Sequence, residues 1–432
     1  MTCSEVFDTA KEPNADGKVK NILFILGMYH PQYSANGLCV KNVVEECLKR
    51  GHKVTVICND YRGENKEDYI DGAHIYRIRH RLFDRVNQWC DKKETALRKT
   101  VRKINRLGNK LKLLVTAPVW PRIAPLYTHR FYKKAKKLYE KENFDSVISV
   151  YTPVSSLMAG YYLKKKHPEV EYIPYFLDSL SAGYAPKVFS KTHIEKRCLK
   201  LERKIFSRAD KIVIMESSRK HHLKVNGDFQ NKIKVSDIPV LKKPRENGEK
   251  TEREEIKILY TGSIDPDVRN PKVIIDALSV EKLENVTCEF VGNINCKNMF
   301  SSVAEKYGEA LTFTHQVTHG EIGKKYRDAD ILLNIGNNFS TMVPSKIFEY
   351  MSYGKPIIST YTIPDEPSKV YLEKYPLALL ISGDDSPEDN AEKIKTFINV
   401  NKDKRVEFED IVHSFYHNTP QAFADIIENT EE

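Results

Sequence analysis

The stretch from Ile331 to Thr360 constrains this chain more than any other. Ile331 to Ile335 is an apolar run of strand length, and Gly336-Asn337-Asn338 closes it with a loop. Pro344 suits the first position of a helix, where its missing N–H costs nothing. Ile347, Phe348 and Met351 share one helical face, and Gly354 followed by Pro356 ends the helix. A second strand, Pro356 to Thr360, follows at once. Lys346 and Glu349 stand three apart, which predicts that both lie on the exposed side of the first helical turn.

A strand, a loop and a helix start carrying a lysine make an anion site. Free N–H groups and the helix dipole attract an anion by roughly 0.3–1 kcal/mol when exposed, and Lys346 adds a full charge. A carboxylate one turn deeper repels phosphate but suits the two hydroxyls of a ribose. The ligand this implies is a nucleoside diphosphate. An ordinary αβ unit with a surface Lys–Glu pair has the same spacing, so the residues alone leave both readings open.

The run Pro344-Ser345-Lys346-Ile347-Phe348-Glu349-Tyr350-Met351, then Gly354-Lys355-Pro356-Ile357, resembles the donor-binding helix of GT-B glycosyltransferases, specifically the large family-4 class of retaining enzymes. The resemblance implies that Glu349 holds the donor ribose, while Val343, Pro344, Ser345 and Lys346 lie along the diphosphate. Many members carry a second glutamate eight residues before the first, touching the transferred sugar; Thr341 stands there in this chain. The fold implied is α/β, GT-B: two Rossmann-like domains with doubly wound parallel sheets facing across a cleft that holds the active site.

Length agrees, since 432 residues suffice for two domains with separate cores. Hydrophobic residues make up 41% and charged residues 30%, ordinary for a globular protein. The eight cysteines form no Cys-x-x-Cys pair or metal spacing, and several sit in apolar segments, so they read as reduced core residues of a cytosolic protein. The start of the chain lacks an apolar signal core, and no run of about 18 apolar residues is present.

In chain order, residues 1–18 read as a disordered tail and 19–241 as an N-terminal, acceptor-side domain. It opens with a strand from Asn21 to Leu26, a glycine loop reaching Gly37, a helix from about Cys39 to Lys49, and a strand from Val54 to Cys58. That opening resembles the usual start of a family-4 glycosyltransferase, where the glycine loop approaches the substrates. No Gly-x-Gly-x-x-Gly is present, which argues against a dinucleotide-dependent dehydrogenase. Further strands are expected at Ser146–Tyr151, Tyr172–Leu177 and Lys211–Met215. Asp178 ends the middle one, where α/β proteins place ligands. The resemblance implies an aspartate or histidine facing the acceptor here, which makes Asp178 the candidate base or charge beside the reacting sugar; it is equally an N-cap of the following turn.

Residues 242–255 are charged and aperiodic, a linker, and 256–405 form the nucleotide-sugar domain. It opens with Ile256 to Tyr260 and Thr261-Gly262-Ser263. By resemblance, basic residues after this turn face the donor phosphates. The first slot holds Ser263 and the second Arg269, so Arg269 and Lys346, with Asp178, are the catalytic candidates. Asn293, Gln316 and Val317 lie at later strand ends, and the resemblance implies that the latter two contact the donor base. Thr318-x-x-Glu321 is a capping box. His315 with His319, and Asp265-Pro266-Asp267, are weak metal patterns, and none is assigned. The resemblance implies no cofactor beyond a UDP- or GDP-linked sugar as co-substrate. Residues 406–432 are read as helices returning to the first domain.

Residues 77–137 are the oddity: 19 Lys+Arg against 3 Asp+Glu, a net of +16 where the whole chain has +10. Leu97, Val101, Ile104, Leu111 and Val115 share one helical face, with Gly108 in register and the basic residues largely opposite. An anionic membrane surface, a nucleic acid, or simple packing on the parent domain with a solvated basic face would each explain the pattern, nucleic acid least well. The reading as a whole is a cytoplasmic glycosyltransferase, free or peripheral at the inner face of the cytoplasmic membrane, moving a hexose-type sugar with retention to a glycan or lipid-linked acceptor in cell-surface polysaccharide synthesis. A UDP-N-acetylhexosamine epimerase and a non-catalytic GT-B partner subunit are the alternatives.

Overall fold

A computed structural model describes residues 18–31, 33–60, 65–91, 95–182, 190–244, 254–315, 317–338 and 343–430. The chain divides into two units, Met1–Pro239 with His417–Glu432, and Val240–Tyr416.

Among its described residues the first unit holds eight strands: β1 (Asn21–Ile25), β2 (Lys53–Asn59), β3 (Glu67–Ile70), β4 (Ala73–Ile78), β5 (Ser146–Tyr151), β6 (Glu171–Phe176), β7 (Ile212–Ile214) and β8 (Ile233–Val235). Their order is β3-β4-β2-β1-β5-β6-β7-β8. Every pair is parallel except the β3–β4 edge. Ile22 to Ile25 are fully buried, as an unbroken apolar run between two helical layers must be. Three strands go beyond the expectation. β3 and β4 carry Glu67, Asp68, His74 and Arg77, which hide the apolar alternation, and β8 is only three residues long. The first helix starts at Ala35, not Cys39, capped by Ser34.

The second unit holds β9 (Ile256–Thr261), β10 (Val286–Val291), β11 (Leu311–Thr314), β12 (Ile331–Ile335), β13 (Ile357–Tyr361) and β14 (Ala378–Ser382), in the order β11-β10-β9-β12-β13-β14, all parallel. β9 has β10 on one side and β12 on the other, so the winding reverses at its C-terminal end. Open α/β sheets bind ligands at such a reversal.

The unit boundaries differ from the expectation. The first unit ends at Pro239, and helix Phe408–Ser414 stays with the second unit, so the return begins at His417 and not at 406. Val406 is tied to Gly354, donating its amide to the Gly354 carbonyl at 2.9 Å. Most of the expected linker, residues 245–253, and of the expected tail, residues 1–17, lies outside the described residues. Among the described residues seven cysteines are buried. Among the described residues no helix is long and apolar enough to cross a membrane.

The basic segment folds as a helical pair, Leu82–Asp91 and Ala96–Thr116, followed by helix Pro125–Glu142. Packing on the parent domain through the apolar stripe is overturned. Leu97, Ile104, Leu111 and Val115 are 68%, 65%, 55% and 80% exposed, and Leu107 joins them on the same face. The longer helix packs instead through the border between the stripe and its polar side, where Val101 and Gly108 are half-buried. Asn105 donates to the Phe83 carbonyl and to Asn87 Oδ1, both at 2.8 Å, and Arg98 lies over the Trp89 ring at 4.6 Å. Gly108 admits the Phe83 ring, 3.2 Å from where a Cβ would stand.

Candidate functional site

The floor of the site is made by two glycine turns at the ends of β9 and β10. Gly262 and Gly292 have φ of 145° and 139°, a region side chains avoid, and a Cβ on Gly292 would lie 2.0 Å from the Gly262 carbonyl oxygen. The Gly262 amide donates to the Val291 carbonyl and the Gly292 amide to the Thr314 carbonyl, so three strand ends form one ledge. Over the ledge opens a cavity of about 290 Å³, reached by Gly262, Ser263, Asn293, Val317, Thr318 and Lys346. Six of the residues singled out from sequence are thereby placed together or next to one another: Gly262, Ser263, Asn293, Val317 and Lys346 on the wall, with Glu349 behind Lys346. Gln316 and Thr341 lie outside the described residues.

Helix Lys346–Met351 is shorter than the sequence predicts, because Pro344 and Ser345 lead in through three-residue hydrogen bonds, Ile347 N to Pro344 O at 3.3 Å and Phe348 N to Ser345 O at 3.2 Å. Six residues make a small dipole, so the positive potential here comes chiefly from the Lys346 ammonium. Nor are Lys346 and Glu349 on an exposed face: their side chains are 32% and 15% exposed. Lys346 Nζ donates to Glu349 Oε2 at 2.9 Å and to the Tyr326 hydroxyl at 3.2 Å. Tyr326 donates to Glu349 Oε2 at 3.2 Å and meets Thr261 Oγ1 at 2.7 Å, while Thr261 N donates to the Tyr350 hydroxyl at 3.1 Å. Burial, then the Glu349 charge, pushes the Tyr326 phenol far above its ordinary value, so it remains a donor at any working pH. The lysine and glutamate are thus held by a tyrosine frame anchored on β9. Val343 is buried beside them. Lys355 serves the fold instead. It is buried, and its ammonium donates to the carbonyls of Arg327 and Ala329, closing the end of helix His319–Asp328.

Arg269 sits beside the ledge. Its Nε donates to Asn337 Oδ1 at 2.9 Å, and its Nη1 would lie 3.6 Å from a Cβ on Gly262. Asn337 N donates in turn to Glu366 Oε1 at 3.2 Å. Glu366 is 1% exposed, and burial raises its carboxyl above the ordinary range despite bonds from Ser368 and Asn337. Asp265 to Asp267 is a turn, not a metal motif: Asp267 N donates to Asp265 Oδ1 at 3.1 Å, and the Arg269 amide to the Asp265 carbonyl at 2.6 Å. Among the described residues no three His, Cys, Asp or Glu side chains are grouped to hold a metal ion. The capping box of Thr318 and Glu321 is formed.

In the first unit, Gly37 is buried where a Cβ would fall 2.4 Å from the Met28 carbonyl oxygen, and its amide is taken by Ser34 Oγ at 3.1 Å. Glycine is needed there for the close approach of two backbones. Asp178 is exposed just beyond β6, and the surrounding chain raises its carboxyl above the ordinary range by desolvation. The cap of this turn comes from Ser179, whose Oγ accepts from Ala182 N at 3.1 Å. Beneath it Glu202, fully buried, accepts from Ser181 N at 3.1 Å and from Asn226 Nδ2 at 2.7 Å. Sequence reasoning missed Tyr326, Asn337, Glu366 and Glu202. Tyr326, Glu366 and Glu202 lie in segments with no motif of their own, and Asn337 reads from sequence only as part of the loop after the strand. The one readable signal was Glu366, a carboxylate between two prolines just after a strand.

Residues 255–400 match the family model of glycosyl transferases group 1. No curated protein matches the sequence. Solved structures share the fold at low identity. A lipopolysaccharide outer core galactosyltransferase, WaaB, has a TM-score of 0.53 at 15% identity, over 95% of this chain and 100% of its own. A glycosyltransferase from Rickettsia africae has 0.59 at 16% over 95% and 98%. An alpha,alpha-trehalose-phosphate synthase (UDP-forming) from Burkholderia xenovorans has 0.57 at 10% over 95% and 99%. Two parallel-sheet units, a cationic cavity at the switch point of the second, and a group 1 domain over that same unit agree: the chain has the GT-B fold and is a glycosyltransferase.

Proposed function

We propose that the second unit binds a UDP- or GDP-linked hexose and that the enzyme moves the sugar, with retention, to a glycan or lipid-linked acceptor in cell-surface polysaccharide synthesis. The observation that carries the donor reading is Lys346, fixed by Tyr326 and Glu349 on the wall of a cavity floored by two glycine turns. Lys346 and Arg269 stabilise charge on the departing diphosphate, with no metal needed for it. Glu349 has an oxygen to spare for the ribose hydroxyls. Asp178, exposed at a strand end in the first unit, is the candidate group for the acceptor side. Thermal stability against UDP-, GDP-, ADP- and CMP-sugars tests this. A ligand at 100 times its dissociation constant stabilises by about 2.7 kcal/mol; if none shifts the transition, the donor site is refuted.

The exposed stripe of helix Ala96–Thr116 supports peripheral attachment to the inner face of the cytoplasmic membrane. A solvated basic face alone would leave nucleic acid equally apt, but five exposed aliphatic side chains in one line suit lipid and not phosphodiester. Flanking Arg and Lys residues each add about 1 kcal/mol near anionic lipid.

A further inference from the structure

The exposed stripe does not end with its helix. Past Val115 it runs to Val119, 46% exposed, and there the chain opens into a groove of about 710 Å³. Helices Pro125–Glu142 and Val154–Lys166 form its walls, with Ile123, Tyr132, Met158 and Tyr162 among the lining residues. The size falls within the range of ligand sites, and the lining is mainly apolar with polar groups confined to a few positions. Three of those positions are cationic, Arg122, Lys165 and Lys166, beside His129, Thr116 and Thr128. One carboxylate is nearby, Glu140, 3.7 Å from Lys166.

A second cavity, about 160 Å³, shares Arg122, Ile123 and Thr128 with the groove. It leads past Arg81 to Tyr151, the last residue of β5, and to Leu180, two residues beyond Asp178. The two together form a path with an apolar far end, a guanidinium at the junction and a polar near end at the strand termini. A molecule matching that order carries a hydrocarbon chain, a phosphate and a polar group.

We propose that the groove binds the hydrocarbon chain of a single lipid phosphate, with the phosphate at Arg122 and the polar group directed along the smaller cavity toward the β5–β6 ends. This names the acceptor class and rests on Asp178 marking the acceptor side. The site is a pocket for one carrier lipid, distinct from the bilayer surface met by Leu97 to Val115.

Dodecyl phosphate below its micelle concentration is the probe, titrated calorimetrically into the full chain. Saturable binding at one site is expected, with inorganic phosphate and uncharged dodecyl maltoside far weaker. Val119→Asp and Arg122→Ala, both at exposed positions, each weaken binding by about tenfold or more, while Leu111→Ser leaves it unchanged. Absence of saturable binding, or wild-type affinity in Val119→Asp, overturns the site. Displacement of the probe by phosphatidylglycerol vesicles also overturns it, in favour of bilayer lipid as the source. A UDP- or GDP-sugar shift measured on the same protein keeps the outcomes separable. If the shift survives while the probe fails, only the lipid site is refuted; if the probe binds and no nucleotide does, only the donor reading is.

Discussion

Lys346 Nζ stands 2.9 Å from Glu349 Oε2, so the cation on the cavity wall is already paired before any ligand arrives. A diphosphate must draw the ammonium from its carboxylate or share it. Lys346→Ala is expected to weaken nucleotide-sugar binding by about tenfold or more, roughly 1.4 kcal/mol. It should move the melting transition little, because a partly exposed pair contributes about 0–1 kcal/mol. Glu349→Gln should weaken nucleotide sugars more than inorganic diphosphate, which lacks the ribose. Equal affinity of Lys346→Ala and wild type would remove the lysine from the donor site.

The ledge allows a sharper test of geometry. Gly292→Ala places a methyl group against the Gly262 carbonyl and strains a φ of 139°. Strain of this kind costs on the order of 1–3 kcal/mol, and donor binding should fall with it. Gly320→Ala is the control: nothing lies within 4 Å of its added carbon, and alanine in a helix is favoured by about 0.5–1 kcal/mol. Denaturant titration of the two variants should show opposite shifts.

These cases mark what could be read from the chain. The buried strands were legible because a parallel sheet covered on both faces demands apolar runs, unbroken in Ile22–Ile25 and interrupted in Ile331–Ile335 only by Asn334, whose buried amide donates to Ser359 Oγ. β3 was not, because an antiparallel edge tolerates charge, and Asp68 there pairs with the buried Arg77 of β4. In the site, Lys346 and Glu349 stood in one motif, but Tyr326 reaches them from the separate helix His319–Asp328. Nothing in its own neighbourhood announces that. The stripe on Ala96–Thr116 was seen, yet periodicity alone could not say which face would find a partner.

Glu289 gives a pH prediction. Burial pushes its carboxyl up, but ion pairs at 2.5 Å with Lys257 and with Lys325 outweigh this and hold it at about 2 against an ordinary 4.5. The folded value is the lower one, so the stabilisation is complete above pH 4.5 and is lost as pH falls from there toward 2. At about 1.4 kcal/mol per unit the full effect is at most about 3 kcal/mol. Glu289→Gln should flatten that part of the stability curve measured by chemical unfolding; an unchanged slope would contradict the assignment.

The exposed stripe predicts a separation of binding from stability. Ile104→Ser with Leu111→Ser should reduce flotation with phosphatidylglycerol-containing vesicles severalfold, while the melting transition stays within about 0.5 kcal/mol of wild type. If both proteins float equally, lipid is not what the stripe meets. A wild-type particle of twice the monomer mass, lost in the variant, would assign the stripe to a second copy of the chain.

The first unit is finished by residues made after the second. Helix Pro420–Glu428 supplies Asp425 and Glu428 to Arg50, at 2.6 and 2.7 Å, and Glu428 to His52 at 2.6 Å, while its Phe423 ring lies 4.6 Å from that of Tyr175. On the ribosome, therefore, the earlier-made sheet waits with an uncovered face, and with Arg50 held only by Glu46, while the whole of Val240–Tyr416 is synthesised and free to fold. A nascent chain stalled anywhere in that interval carries an incomplete first unit, and that is the species a chaperone would meet.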